Sequence, residues 1–164
     1  MFDTIFGLPM HALVIHAVVV FLPLASVSVL AAAFWPKFRR WAGPLPLIVS
    51  VLATIMVPVA TQSGEAFQAR LNAGENAAVI QHAALGNLMI WWSIGLVIAA
   101  AAVYWLHMQA KKASVSGTTA RPSQGLVIAI MVLAAVASVG TMVHVARVGD
   151  AGARAAWAFT VPAG

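Results

Sequence analysis

The sequence predicts an all-α protein, a four-helix transmembrane bundle, and three observations carry that prediction. The 164 residues are 62% hydrophobic and 8% charged, with a mean hydropathy of +0.95. A water-soluble domain carries about a quarter charged residues, so this chain lacks the polar surface to wrap a soluble core. The apolar residues also fall into four separated runs, each near the roughly 20 residues that an α-helix needs to cross about 30 Å of hydrocarbon. Residues 1–164 read as one integral membrane domain whose first partner is the lipid bilayer.

The first span is expected at about 8–35, with Pro9 in its first turn, where a missing N–H removes no helical bond. The start "MFDTIFG" has no basic segment, so the run reads as a retained helix rather than a cleaved signal. The second span is expected at about 46–60, ending near Pro58. The third covers about 77–106 with Asn76 as N-cap, and the fourth about 125–148, stopping at Gly149. Between them lie "PKFRRWAGPLP", then "TQSGEAFQARLNAGEN" with a short amphipathic helix from Gly64 to Leu71, then the Ser/Thr/Gly-rich "HMQAKKASVSGTTARPS". No internal repeat is evident from the residues alone.

Charge sorts these connections by side. Lys37, Arg39, Arg40, Lys111, Lys112 and Arg121 lie after the first and third spans with no acidic residue among them. The opposite side mixes Arg70, Arg147 and Arg154 with Asp3, Glu65, Glu75 and Asp150. The positive-inside rule then puts both termini outside a bacterial cytoplasmic membrane, with Trp35, Trp41 and Trp105 at the inner interface. The net charge of +5 is distributed for topology, not as a nucleic-acid surface.

There is no cysteine, which excludes disulfides and thiolate-held metals or clusters within the chain. Histidine is the remaining soft ligand. Counted from the outer helix ends at 1.5 Å per residue, His16, His82 and His144 fall at one level, roughly 6–11 Å deep. His11 lies about 140° around its helix from His16 and reads as interfacial, as does His107 at the inner end. Gly86 and Gly140 each lie one turn deeper than His82 and His144 on the same face, which either lets helices approach or clears room for a flat ligand.

These patterns leave three functional expectations. The leading one is haem b held by His82 and His144, with His16 as substitute ligand or hydrogen-bonding neighbour, in an electron-transfer module that serves an extracytoplasmic redox protein. Glu65 is then either a helix-dipole partner or a support for a ligand histidine. Arg147 and Arg154 either make local helix contacts or bind propionates or an acidic partner. The second expectation is a non-catalytic accessory or scaffold subunit of a respiratory complex, its histidines hydrogen-bonded and structural. The third is a copper or zinc site made by His16, His82 and His144. The spacing fits no zinc-protease motif, and "QSGEA" lacks the flanks of a nucleophile elbow, so a hydrolase is not expected and a redox module is the most enzyme-like role left open.

The stretches "GLPMHALVIHAVVVFLPLA", "VPVATQSGE", "QHAALGN" and "HVARVGDAGARAAW" resemble the bacterial four-helix membrane family designated DUF2231, a domain of unknown function. The resemblance implies a compact four-helix bundle and brings no activity with it. It marks His16, Ser63, Gly64, Glu65, His82, His144, Arg147 and Gly152 as family positions. Relatives often carry serine before the last glycine, where this chain has Ala151. Some relatives resemble fusions to a Rieske iron–sulfur domain, which implies an electron carrier beside the outer face. This cysteine-free chain would need a separate one.

Overall fold

The computed structural model describes residues 4–5, 8–70, 72, 74, 76–116 and 122–157. Asp3, Glu75 and Arg121 of the charge pattern lie outside the described residues. A minimal antiparallel pairing of β1 (Thr4–Ile5) with β2 (Leu8–Pro9) precedes α1 (Met10–Phe34). A short α2 (Pro36–Ala42) then leads into α3 (Leu45–Arg70), α4 (Ala77–Ser116) and α5 (Gln124–Trp157). Four of these helices are long and apolar enough to span a membrane.

Local chemistry fixes the helix starts. Trp35 is extended, and Pro36 opens α2 with its φ already helical. Gly43 ends α2 at φ +55°, a left-handed conformation that glycine adopts without a Cβ clash, and its N–H bonds the Arg39 carbonyl. Asn76 caps α4 as expected, its Oδ1 accepting from the Ala78 and Val79 N–H groups at 3.0 and 3.4 Å. The Ser123 hydroxyl oxygen accepts from Leu126 N–H at 3.3 Å at the start of α5.

The helix ends depart from expectation. α3 passes through Pro58 and continues to Arg70, so "TQSGEAF" is helical and the expected separate helix from Gly64 is its last part. Within a bundle a proline removes one bond but neighbouring helices hold the segment in place. α4 runs ten residues past Leu106, because Gln, Ala and Lys are good helix formers once the apolar run ends. α5 crosses Gly149 and continues through an alanine-rich tail braced by the Asp150–Arg154 ion pair, 2.9 Å, one turn apart. At 40 residues, α4 reaches about 60 Å, twice the hydrocarbon thickness.

Around the bundle the order is α1, α3, α4, α5 and back to α1, and α1 and α4 approach across the shorter diagonal. Small residues make this closeness possible: Ala25, Ala32, Ala99, Ala100, Ala134 and Ala137 are all buried. The buried hydroxyls of Ser26 and Ser50 donate back to the carbonyls of Leu22 and Pro46 in their own helices, 2.9 and 2.7 Å, and so need no aqueous partner. Thr54 bridges helices, its hydroxyl donating to the Ser93 carbonyl at 3.2 Å.

The two ends of the bundle differ in chemistry. One carries Lys37, Arg39 and Arg40 on α2, with Trp35 and Trp41 flanking Phe38 at ring separations of 6.2 and 5.7 Å. Arg39 is half-buried there, and burial together with neighbouring Arg40 lowers its guanidinium pKa below the ordinary value. The other end carries His11 and His82.

Ala25→Phe forces a ring into a fully buried, alanine-lined contact and should lower stability by about 1–3 kcal/mol. Val20→Phe, at a position 60% exposed, should leave it unchanged. Thermal unfolding of the two variants in detergent, followed by circular dichroism, checks this.

Candidate functional site

Three imidazoles tie the helices together at the end opposite α2. His11, in the first turn of α1, has Nδ1 3.0 Å from the Ala60 carbonyl of α3 and 3.4 Å from the Ser63 hydroxyl. His82 of α4 has Nδ1 3.1 Å from the Val148 carbonyl of α5. His144 of α5 is buried, with Nε2 2.9 Å from the Leu85 carbonyl of α4. A carbonyl oxygen only accepts, so the proton sits on Nδ1 of His11 and His82 and on Nε2 of His144. In its uncharged form, a ring bonded this way keeps its lone pair on the other nitrogen.

Glycines seat two of these rings. A Cβ on Gly64 would lie 2.8 Å from Cε1 of His11, and one on Gly152 would lie 3.0 Å from Cε1 of His82. A Cβ at Gly64 would force the His11 ring to move, and one at Gly152 would press on His82 by a few tenths of an ångström. His11 also stacks on Phe67, 6.2 Å between centroids, and meets His82 edge-on at 6.4 Å and 76°. The pair therefore joins α1 and α4 across the short diagonal, each ring anchored to a different neighbouring helix.

Several expectations need correction. His16, placed by depth among the inward trio, is exposed on the bundle surface and bonds only the Ala12 carbonyl of its own helix. His11, read as interfacial, faces inward instead. The two do lie on different faces, but neighbours on α3 and α4 select the other one. His144 does not share a level with His82: α5 extends nine residues beyond Val148, so His144 sits a turn deeper, opposite Leu85. The space cleared by Gly140 is already filled by the Trp92 indole, since a Cβ there would fall 1.9 Å from Trp92 Cζ3. That indole stacks on His144 at 6.2 Å, and the Thr141 hydroxyl donates to the Trp92 carbonyl at 3.3 Å. Gly86 has no neighbouring atom within 4 Å of where a Cβ would stand, so it lines no contact.

Glu65 is exposed and borders an open depression with Gln68, Ala69, Asn72 and Gly74. Arg147 is exposed, and Arg154 is held by Asp150 in a surface pair. His107 stacks on Tyr104 toward the α2 end, far from the other rings. Among the described residues, no three of His, Cys, Asp and Glu converge as a metal-holding group. Sequence reasoning missed His11, Trp92 and the ring-seating role of Gly64 and Gly152. In the structure each of the last two glycines follows an accepting carbonyl by four residues, Ala60 to Gly64 and Val148 to Gly152, a relation that the residue types alone do not signal.

Four long apolar helices whose side-chain donors bond main-chain carbonyls across the helix contacts define an integral membrane bundle. The chain belongs to the family described as predicted membrane protein (DUF2231), whose model matches residues 7–163. No curated protein and no solved structure matches it.

Gly140→Ala drives a methyl group into the Trp92 ring and should cost about 1–3 kcal/mol. Gly86→Ala meets open space and should be neutral or stabilise by up to about 1 kcal/mol through helix propensity. Comparing their melting temperatures in detergent checks both signs.

Proposed function

We propose that this protein is a non-enzymatic metal-bearing module of a bacterial plasma membrane, with both termini outside, in which His11 and His82 hold a transition metal. One observation carries the reading. Both rings donate Nδ1–H to a main-chain carbonyl, the arrangement that fixes a ligand imidazole's tautomer and leaves its Nε2 lone pair free. With both Nε2 atoms turned to one shared ion, two metal–nitrogen bonds of about 2.0 Å and the radii of two imidazole rings come to about 6 Å. That separation is close to the 6.4 Å between the centroids.

The metal is either a bare ion such as copper or zinc, or the iron of haem b. The chemistry shared by both is a centre that accepts imidazole lone pairs. Haem between His82 and His144 is the less favoured pairing, because Trp92 fills the Gly140 cleft and His144 commits Nε2 to Leu85. A redox metal at this end would exchange electrons with an extracytoplasmic carrier or a respiratory complex. The second reading, an accessory subunit, rests on the same bonds taken as purely structural staples.

The purified protein should carry a stoichiometric metal by elemental assay. Haem would show a Soret band and, after dithionite, sharp α and β bands; bare copper or zinc would not. His11→Ala or His82→Ala should abolish loading and His16→Ala should not. A preparation that stays metal-free and colourless after haem, copper and zinc are supplied would establish the accessory reading instead.

Orientation is checked separately in this cysteine-free chain. In intact cells, Asn72→Cys should react with a membrane-impermeant maleimide and Ser114→Cys should not. The reverse pattern would invert the topology.

A further inference from the structure

The two helical hairpins that carry the histidine pair repeat one another. α1 with α3 places His11 over Gly64, bonded to the carbonyl four residues before that glycine. α4 with α5 places His82 over Gly152, bonded to the carbonyl four residues before that one. The bonds measure 3.0 and 3.1 Å. A Cβ on Gly64 would lie 2.8, 3.2 and 3.5 Å from Cε1, Nδ1 and Nε2 of His11. On Gly152 the corresponding distances to His82 are 3.0, 3.1 and 3.7 Å.

The register set by these contacts continues along the helices, although buried Ser26 and Ala33 fall on half-buried Val97 and Tyr104. The 71-residue offset from His11 to His82 carries Leu22, Ala25, Val29 and Ala32 onto Ser93, Leu96, Ala100 and Val103, all buried. The 88-residue offset from Gly64 to Gly152 carries all five buried residues of α3 onto buried residues of α5. Ser50 falls on Ser138, Val57 on Val145, and Ser63 on Ala151. The packing obeys the same symmetry: α3 lies on α4 about as extensively as α5 lies on α1. Since α1 and α4 run in the same direction, the relating axis runs along the bundle, as in parallel transporter repeats. It passes between His11 and His82.

We infer that the chain is a duplicated helical hairpin and that the histidine pair on its pseudo-twofold axis is a two-coordinate site for a monovalent soft cation, Cu(I). This rests on the metal-bearing reading above and names its ligand. Two symmetry-related imidazole lone pairs are the donor set that a linear ion needs. Zn(II) and Cu(II) call for about four ligands, and among the described residues no third His, Cys, Asp or Glu joins the pair. Charge selects the same way. The Born cost of burying an ion rises with the square of its charge, and among the described residues no carboxylate joins the rings to offset a divalent one. Glu65 is exposed and Asp150 is engaged by Arg154.

The test uses the full chain in detergent, titrated anaerobically with Cu(I) against a chromophoric Cu(I) chelator, with Zn(II) and haem offered in parallel. One Cu(I) per chain is expected, with X-ray absorption showing two nitrogen neighbours. His11→Ala and His82→Ala should abolish binding equally, while His16→Ala and His107→Ala retain it. If either alanine variant fails to fold, the nitrogen count in the unaltered protein still decides. Three or four ligands would overturn the inference. Preferential loading of Zn(II) or haem on the same pair would also overturn it and leave the metal-bearing reading standing. Loss of binding in only one of the two variants would overturn the symmetric site. No uptake of any of the three would overturn both.

Discussion

An imidazole N–H donated to a main-chain carbonyl of the neighbouring helix is the interaction on which this bundle's histidine end depends. In hydrocarbon an unbonded imidazole is costly, and no water replaces a missing partner. Lipid tails are as apolar as leucine, so helix association there rests on close packing and on polar contacts of this kind. Each such bond brings two helix axes to a set separation and fixes their relative height. His11 does this for α1 and α3, while His82 and His144 do it reciprocally for α4 and α5.

Close approach is the condition for these bonds, and glycine meets it. Gly64 and Gly152 let the rings lie against the helix backbone, and Gly140 does the same for the Trp92 indole. Farther along, alanines continue the contact, and the buried serines Ser26, Ser50, Ser63 and Ser93 donate to carbonyls of their own helices. Structure and chemistry are coupled here. The bond that holds a ring in place also decides which of its nitrogens keeps a lone pair, and so which atom the ring can offer to a ligand.

Hydropathy made the four spans and the Asn76 cap legible, because burial in lipid demands long apolar runs. The helix ends were not, since Pro58 and Gly149 stop isolated helices but not helices flanked by neighbours. That error propagated. With α3 and α5 taken as ending at about 60 and 148, His11 stood at a wet boundary and His144 shared a level with His82. With the true ends at Arg70 and Trp157, protein half-buries His11 and leaves His16 on the outer face. The accepting carbonyls of Ala60, Val148 and Leu85 carry no side-chain signature, so no residue pattern announces them. The hairpin repeat was hidden for a related reason. It resides in which positions are buried and where two glycines sit, while the apolar residues filling those positions interchange freely.

The account turns on where three protons sit, and nitrogen-15 magnetic resonance of selectively histidine-labelled protein in detergent, without added metal, reads them directly. His11 and His82 should both be neutral with the proton on Nδ1, and His144 neutral with the proton on Nε2. A proton on Nε2 of His11 or His82, or an imidazolium at either, would contradict the carbonyl-anchored pair and the free lone pairs that follow from it.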